Sequence, residues 1–201
     1  MIRVGLTGGI GSGKTTVAHL LEQLDIPVYY ADERGRWLSD NDPEVVLKIK
    51  TLFGENAYLE NGPLNRKHIS EKVFSDRALL ERLNGIVHPA VRNDYREWVE
   101  RHADASYSVM ETAILFESGF DREVQKIVVV TAPEELRIAR TVRRDGTDEA
   151  AVRKRMAAQM SDQERMAKAD YVLRADDREL LIPQVLELDR GLRQNNSDVE
   201  K

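Results

Sequence analysis

The octad Gly8-Gly9-Ile10-Gly11-Ser12-Gly13-Lys14-Thr15 constrains this chain more than any other stretch. It meets the spacing G-x-x-x-x-G-K-[ST] in full and follows the apolar run Arg3-Val4-Gly5-Leu6-Thr7. Glycine reaches backbone angles closed to other residues, so such a loop can curl its N–H groups into a concave nest for anions. A helix that starts at the end of the loop adds the positive end of its dipole. Lys14 is then placed to bridge the β- and γ-phosphates of a nucleoside triphosphate, and the Thr15 hydroxyl to ligate Mg²⁺. Gly11, Ser12, Gly13, Lys14, Thr15 and Thr16 are the expected triphosphate contacts. A buried strand before the loop and a helix after it set the motif apart from a chance glycine turn.

The rest of the chain alternates in the same way. Strands are expected at 3–7, 26–30, 106–116, 126–131 and 171–173, and helices at about 15–24, 43–53, 66–74, 76–86 and 89–102. Asp42-Pro43 reads as an N-cap with proline in the first turn, and Gly54 as the stop of that helix. Pro133 opens a helix carrying Arg137, Arg140, Arg143 and Arg144, which breaks at Gly146; Thr147 then caps a second basic helix. A last amphipathic helix spans about 178–192, followed by a polar, frayed tail from Gln194. Strands alternating with helices predict an α/β fold with a five-stranded parallel sheet. The long helical stretch of about 33–104 predicts an inserted substrate subdomain, and about 137–160 a lid, within one domain spanning 1–201.

Bulk properties narrow the function classes. The 201 residues suit one domain with insertions. The net charge of −5 argues against non-specific binding to nucleic acid or anionic membrane. No stretch approaches the roughly 20 apolar residues of a membrane span. Without cysteine there is no disulfide, thiolate nucleophile or Cys-ligated metal, and the chain suits a reducing cytosol. Residues 2–6 run straight into the glycine loop, leaving no visible secretory signal. The expected partners are small molecules, on a monomer or weak homo-oligomer.

Several charged residues are candidates for chemistry. Asp32 follows strand two, and in an open parallel sheet ligands bind at the carboxyl ends of the strands. A carboxylate there can accept or orient an acceptor hydroxyl, or can be an ordinary turn residue. Glu111 and Glu117, in and just past strand three, are candidates for a magnesium contact or for structural pairing. Arg137, Arg140 and Arg144 share a helix face and suit phosphoryl oxygens, or form a solvated basic face. His88 before Pro89 reads as an extended residue at a helix start. Trp37 and Trp98 read as core or interface residues. Asp32-Glu33-Arg34-Gly35 also fits the D-x-x-G pattern of a GTPase switch, but no N-K-x-D motif occurs in the chain.

The sequence resembles the dephospho-CoA kinase family. The resemblance is carried in order by Gly5 to Lys14, Ala31-Asp32, His88-Pro89, Leu115-Phe116-Glu117, Arg140, Arg144-Asp145-Gly146, Arg155 with Gln159, and Ala169-Asp170-Tyr171. It implies a P-loop kinase core, a helical coenzyme-binding subdomain and a lid. It implies phosphorylation of the ribose 3′-hydroxyl of dephospho-CoA by ATP with Mg²⁺. It also implies Asp32 as base, Lys14 as the P-loop lysine, Arg140 as a lid arginine and His88 as a substrate contact. Glu111 and Ala113 stand where the family usually has Asp and Pro, and Ala175 stands where it often has Asn. The motifs outside the loop distinguish this reading from a kinase of another small molecule.

Overall fold

A computed structural model describes residues 1–197. The described residues divide into two compact units, one made of residues 1–30 and those from 101 on, the other of residues 31–100.

The first unit holds the sheet: β1 (Ile2–Thr7), β2 (Val28–Tyr30), β3 (Tyr107–Glu111), β4 (Lys126–Thr131) and β5 (Tyr171–Arg174). Its strand order is β2-β3-β1-β4-β5, and every pairing is parallel, as expected from the sequence. The alternation along β1 decides what each sheet face carries. Val4 and Leu6 point to one face and pack with Val17, Ala18 and Leu21 of α1 (Lys14–Glu22) and with Val185, Leu188 and Leu192 of α9 (Leu181–Ser197). Each large apolar side chain fully buried this way contributes about 1.5–3 kcal/mol. Gly5 points to the other face, where a Cβ would lie 2.9 Å from Leu115 Cδ2. Glycine at that position lets Leu115 pack directly on the strand.

The remaining helices of this unit are α6 (Glu134–Asp145), α7 (Glu149–Ala157) and α8 (Asp162–Ala167). Asp148, not Thr147, caps α7: its carboxylate accepts from the Ala151 N–H at 2.8 Å. A capping box between Ser161 and Glu164 starts α8. Strand three is shorter than the apolar pattern suggests, ending at Glu111, because the chain from Ala113 to Gly119 goes into turns. Helix α9 continues through the expected polar tail to Ser197; the rest of that tail, 198–201, lies outside the described residues.

The second unit is helical: α2 (Ala31–Asn41), α3 (Pro43–Phe53), α4 (Arg66–Ser75) and α5 (Arg77–Arg101). Val45, Ile49 and Phe53 of α3 pack with Ile69 of α4 and with Leu79, Leu83, Ile86, Val87 and Ala90 of α5. Asp42 caps α3 by accepting from the Glu44 and Val45 N–H groups at 2.9 and 3.0 Å. Gly54 ends it at φ 86°. Two expectations fail in this unit. The helices expected at 76–86 and 89–102 are one 25-residue helix with Pro89 inside it. His88 is therefore helical, not extended. Proline disfavours that geometry locally, but Ile86, Val87, Ala90 and Val91 on both sides of it are packed, and that burial carries the helix through. Of the two readings of Trp37, core or interface, the core is excluded: it is half exposed, with the Arg34 guanidinium 4.4 Å from its ring centroid.

Candidate active site

The loop after β1 has the backbone that its sequence requires. Gly11 and Gly13 sit at φ 75° and 96°, the left-handed region. A Cβ on Gly11 would lie 2.3 Å from the Arg137 carbonyl oxygen, so both conformation and space demand glycine. Ser12 N–H closes a turn on the Gly9 carbonyl at 3.0 Å, and Val17 N–H bonds to the Gly13 carbonyl at 3.2 Å. The Ser12 hydroxyl is buried and makes no hydrogen bond; it faces Gly8, whose Cβ would lie 2.5 Å from it. Thr15 and Thr16 are exposed in the first turn of α1.

Glu111 ends β3 beside this loop and is only 4% exposed. Its Oε1 lies 3.1 Å from Lys14 Nζ and accepts from the Thr15 hydroxyl at 3.2 Å. One carboxylate oxygen thus holds both residues expected to meet phosphate and metal. The register places Tyr30, the last residue of β2, opposite Glu111. The chain then enters α2, of which Asp32 is the second residue, half-buried. Gly35 lies in the same helix, where a Cβ would lie 3.4 Å from Val91. The D-x-x-G tetrad is therefore a helix segment, not a switch loop.

The arginines of α6 have separate roles. Arg137 is buried; its Nε donates to the Ile10 carbonyl at 3.0 Å and its Nη1 to Asp162 Oδ2. Arg140 pairs with Asp177 at 2.6 Å, and Arg144 with Asp145 at 2.7 Å. Arg155 reaches the same Asp145 at 2.8 Å; these two guanidinium groups hold its carboxyl well below the usual carboxylate range. Helical spacing put Arg137, Arg140 and Arg144 on one face but could not show that one of them is buried under the loop.

A network that the spacing did not reveal extends from Arg137. Asp162 Oδ1 accepts from Arg165 Nη1 at 3.0 Å, and Arg165 is 1% exposed. Arg165 Nη2 lies 3.5 Å from Glu117 Oε1, which accepts the Met160 N–H at 3.0 Å. Gln159 Oε1 accepts the Ile10 N–H at 3.1 Å. Glu117 is thus a structural acceptor in this network. Arg165, in a short polar helix, gave no sequence signal of its burial.

His88 lies in the second unit, on α5, half-buried. Burial lowers its pKa below the ordinary imidazole value, and the nearby Arg92 cation lowers it further. Ala175, one residue past β5, packs against the loop: a Cβ on Gly13 would lie 3.2 Å from its own Cβ. Among the described residues no group of three or more His, Cys, Asp or Glu side chains could hold a metal, and no helix is long and apolar enough to cross a membrane.

Comparison with known proteins follows this geometry. The family profile of dephospho-CoA kinase matches residues 2–180. The dephospho-CoA kinase of Bacteroides fragilis is 41% identical over 187 residues, covering 93% of this chain and 91% of that protein. The crystal structure of TT1252 from Thermus thermophilus superposes with a TM-score of 0.84 at 33% identity, covering 94% and 96% of the two chains. The dephospho-CoA kinase from Campylobacter jejuni, at 22% identity, shares the fold with a TM-score of 0.72 over 96% and 98%. The strand–loop–helix phosphate nest and this likeness along nearly the whole chain agree: the chain belongs to the dephospho-CoA kinase family, and it is a P-loop kinase.

Proposed function

We propose that this kinase transfers the γ-phosphoryl group of ATP to the ribose 3′-hydroxyl of dephospho-CoA, the last step of coenzyme A synthesis. The observation that carries the reading is the loop of residues 8–15 with Lys14 and Thr15 gathered on Glu111, in a chain of this family.

The roles follow from the chemistry. Phosphoryl transfer needs positioning and charge stabilisation more than covalent help from the protein. Lys14 exchanges its ion pair with Glu111 for the β- and γ-phosphates, with the loop residues Gly11, Ser12, Gly13, Thr15 and Thr16 around them. Arg140 leaves the exposed Asp177 for the transferring group when the 137–160 region closes as a lid and excludes water. Asp32 orients the acceptor hydroxyl and takes its proton. In support, it stands two residues beyond Tyr30, which pairs with Glu111 at the carboxyl edge of the sheet. His88 is proposed as a contact to the acceptor substrate.

The residues fit a magnesium ion. Mg²⁺ keeps most of its waters and takes one or two protein oxygens beside substrate phosphates. Thr15 Oγ1 would supply one oxygen and Glu111, within hydrogen-bond distance of it, a carboxylate. When bound, the ion neutralises charge on the phosphates. The protein is expected in the cytoplasm, as a monomer or weak homo-oligomer.

The test is Asp32→Asn, with product read by mass as phosphate added to dephospho-CoA. We expect kcat to fall at least about a hundredfold with ATP affinity largely kept. Near-normal turnover sinks the role of Asp32. Preference for a nucleoside monophosphate as acceptor sinks the substrate assignment.

A further inference from the structure

We propose that Gln159 and Arg137 are positioning residues for phosphoryl transfer, clamping the two peptides on either side of the Ile10 α-carbon so that the loop N–H groups face the triphosphate. The inference rests on reading residues 8–15 as the triphosphate site.

A trans peptide is planar, and its N–H and C=O point in opposite directions. Fixing one of the pair therefore aims the other. The Gly9–Ile10 peptide is held from both sides: Gln159 Oε1 accepts its N–H at 3.1 Å, and its carbonyl accepts from Ser12 N–H at 3.0 Å. The Ile10–Gly11 peptide is held by its carbonyl, on Arg137 Nε at 3.0 Å. Its N–H, that of Gly11, is thereby turned away from the Arg137 guanidinium. A charged donor makes this a stronger tether than a neutral one.

The clamp is itself braced. Arg137 is 6% exposed and ion-paired to Asp162, which also binds the fully buried Arg165. Arg165 faces Glu117, and Glu117 holds the Met160 N–H, next to Gln159 in the chain. The fit leaves no slack: a Cβ on Gly9 would lie 2.1 Å from Arg137 Nη2. Glycine at position 9 is explained by this guanidinium and not by φ. Gln159 and Asp162 come from the segment around α7 and α8, so that segment and the phosphate loop are joined at Ile10, directly by Gln159 and by way of Arg137.

The experiment uses the full chain with Gln159→Met, which keeps side-chain length and removes the acceptor. Gln159 is half-buried, and Tm reports whether the fold tolerates the change. We expect the KM for ATP to rise about fivefold to tenfold, as loss of one hydrogen bond implies. The KM for dephospho-CoA stays unchanged, Tm stays within about 2 °C of the parent, and the Ile10 amide exchanges hydrogen faster. Unchanged ATP kinetics overturn the inference, as does an equal rise of both KM values with a large loss of Tm. Lys14→Ala separates the two readings. If it leaves the KM for ATP unchanged, the triphosphate site itself is misplaced. If it impairs ATP use while Gln159→Met does not, the clamp alone is wrong.

Discussion

Replacing Glu111 by Gln removes one charge from the centre of the site and keeps the shape. Glu111 and Lys14 side chains are 6% and 17% exposed, with N and O 3.1 Å apart. At an effective dielectric constant of about 20, the attraction at that distance is about 5 kcal/mol before desolvation is counted. Desolvation cancels most of this, and Gln still accepts a hydrogen bond, so a net loss of about 2 kcal/mol is expected. For a chain of this size that lowers Tm by about 4–8 °C. The deficit should shrink with an anion present. Metal-free tripolyphosphate gives Lys14 a new partner in the variant, whereas in the parent it meets the Glu111 charge as well. The thermal shift on adding it should therefore be larger for Glu111→Gln than for the parent. Two results refute the reasoning: a Tm unchanged within 1 °C without ligand, or a smaller tripolyphosphate shift in the variant.

Two further perturbations test the loop and the helical unit. Gly11→Ala forces an L-residue to φ 75° with its Cβ against the Arg137 carbonyl; denaturant unfolding should show about 2–4 kcal/mol lost and turnover should collapse, while a silent substitution would contradict the loop geometry. His88 is held neutral by burial and by Arg92, so its folded pKa lies below the unfolded value of 6.5. Its stabilising effect is complete above about pH 6.5 and is lost as pH falls towards the folded value, because the unfolded chain takes up the proton first. Tm followed from pH 7.5 to 5 should fall less steeply in His88→Asn than in the parent; parallel curves would exclude His88 as a source of the slope.

The sequence by itself determined the phosphate loop. The G-x-x-x-x-G-K-T spacing is a local backbone requirement, and positive φ at Gly11 and Gly13 was legible from it, although Arg137 and Gln159 hold the loop from afar. It also determined the parallel sheet, because short apolar runs separated by helices admit few other arrangements. Caps such as Asp42 were legible for the same reason: the interaction spans three residues. Chemistry that joins distant parts of the chain was not. Pro89 marks a helix start locally, yet packing on both sides of it carries α5 through. Arg137 and Arg140 look alike in a helical repeat, but one is buried under Ile10 and the other lies on Asp177. Glu111 was a candidate by its strand, and only the fold showed one oxygen shared by Lys14 and Thr15. Spacing reports what a residue meets within a turn or a strand. Burial and partners 25 or 149 residues away along the chain are set by how the elements pack, and there the tertiary structure decided.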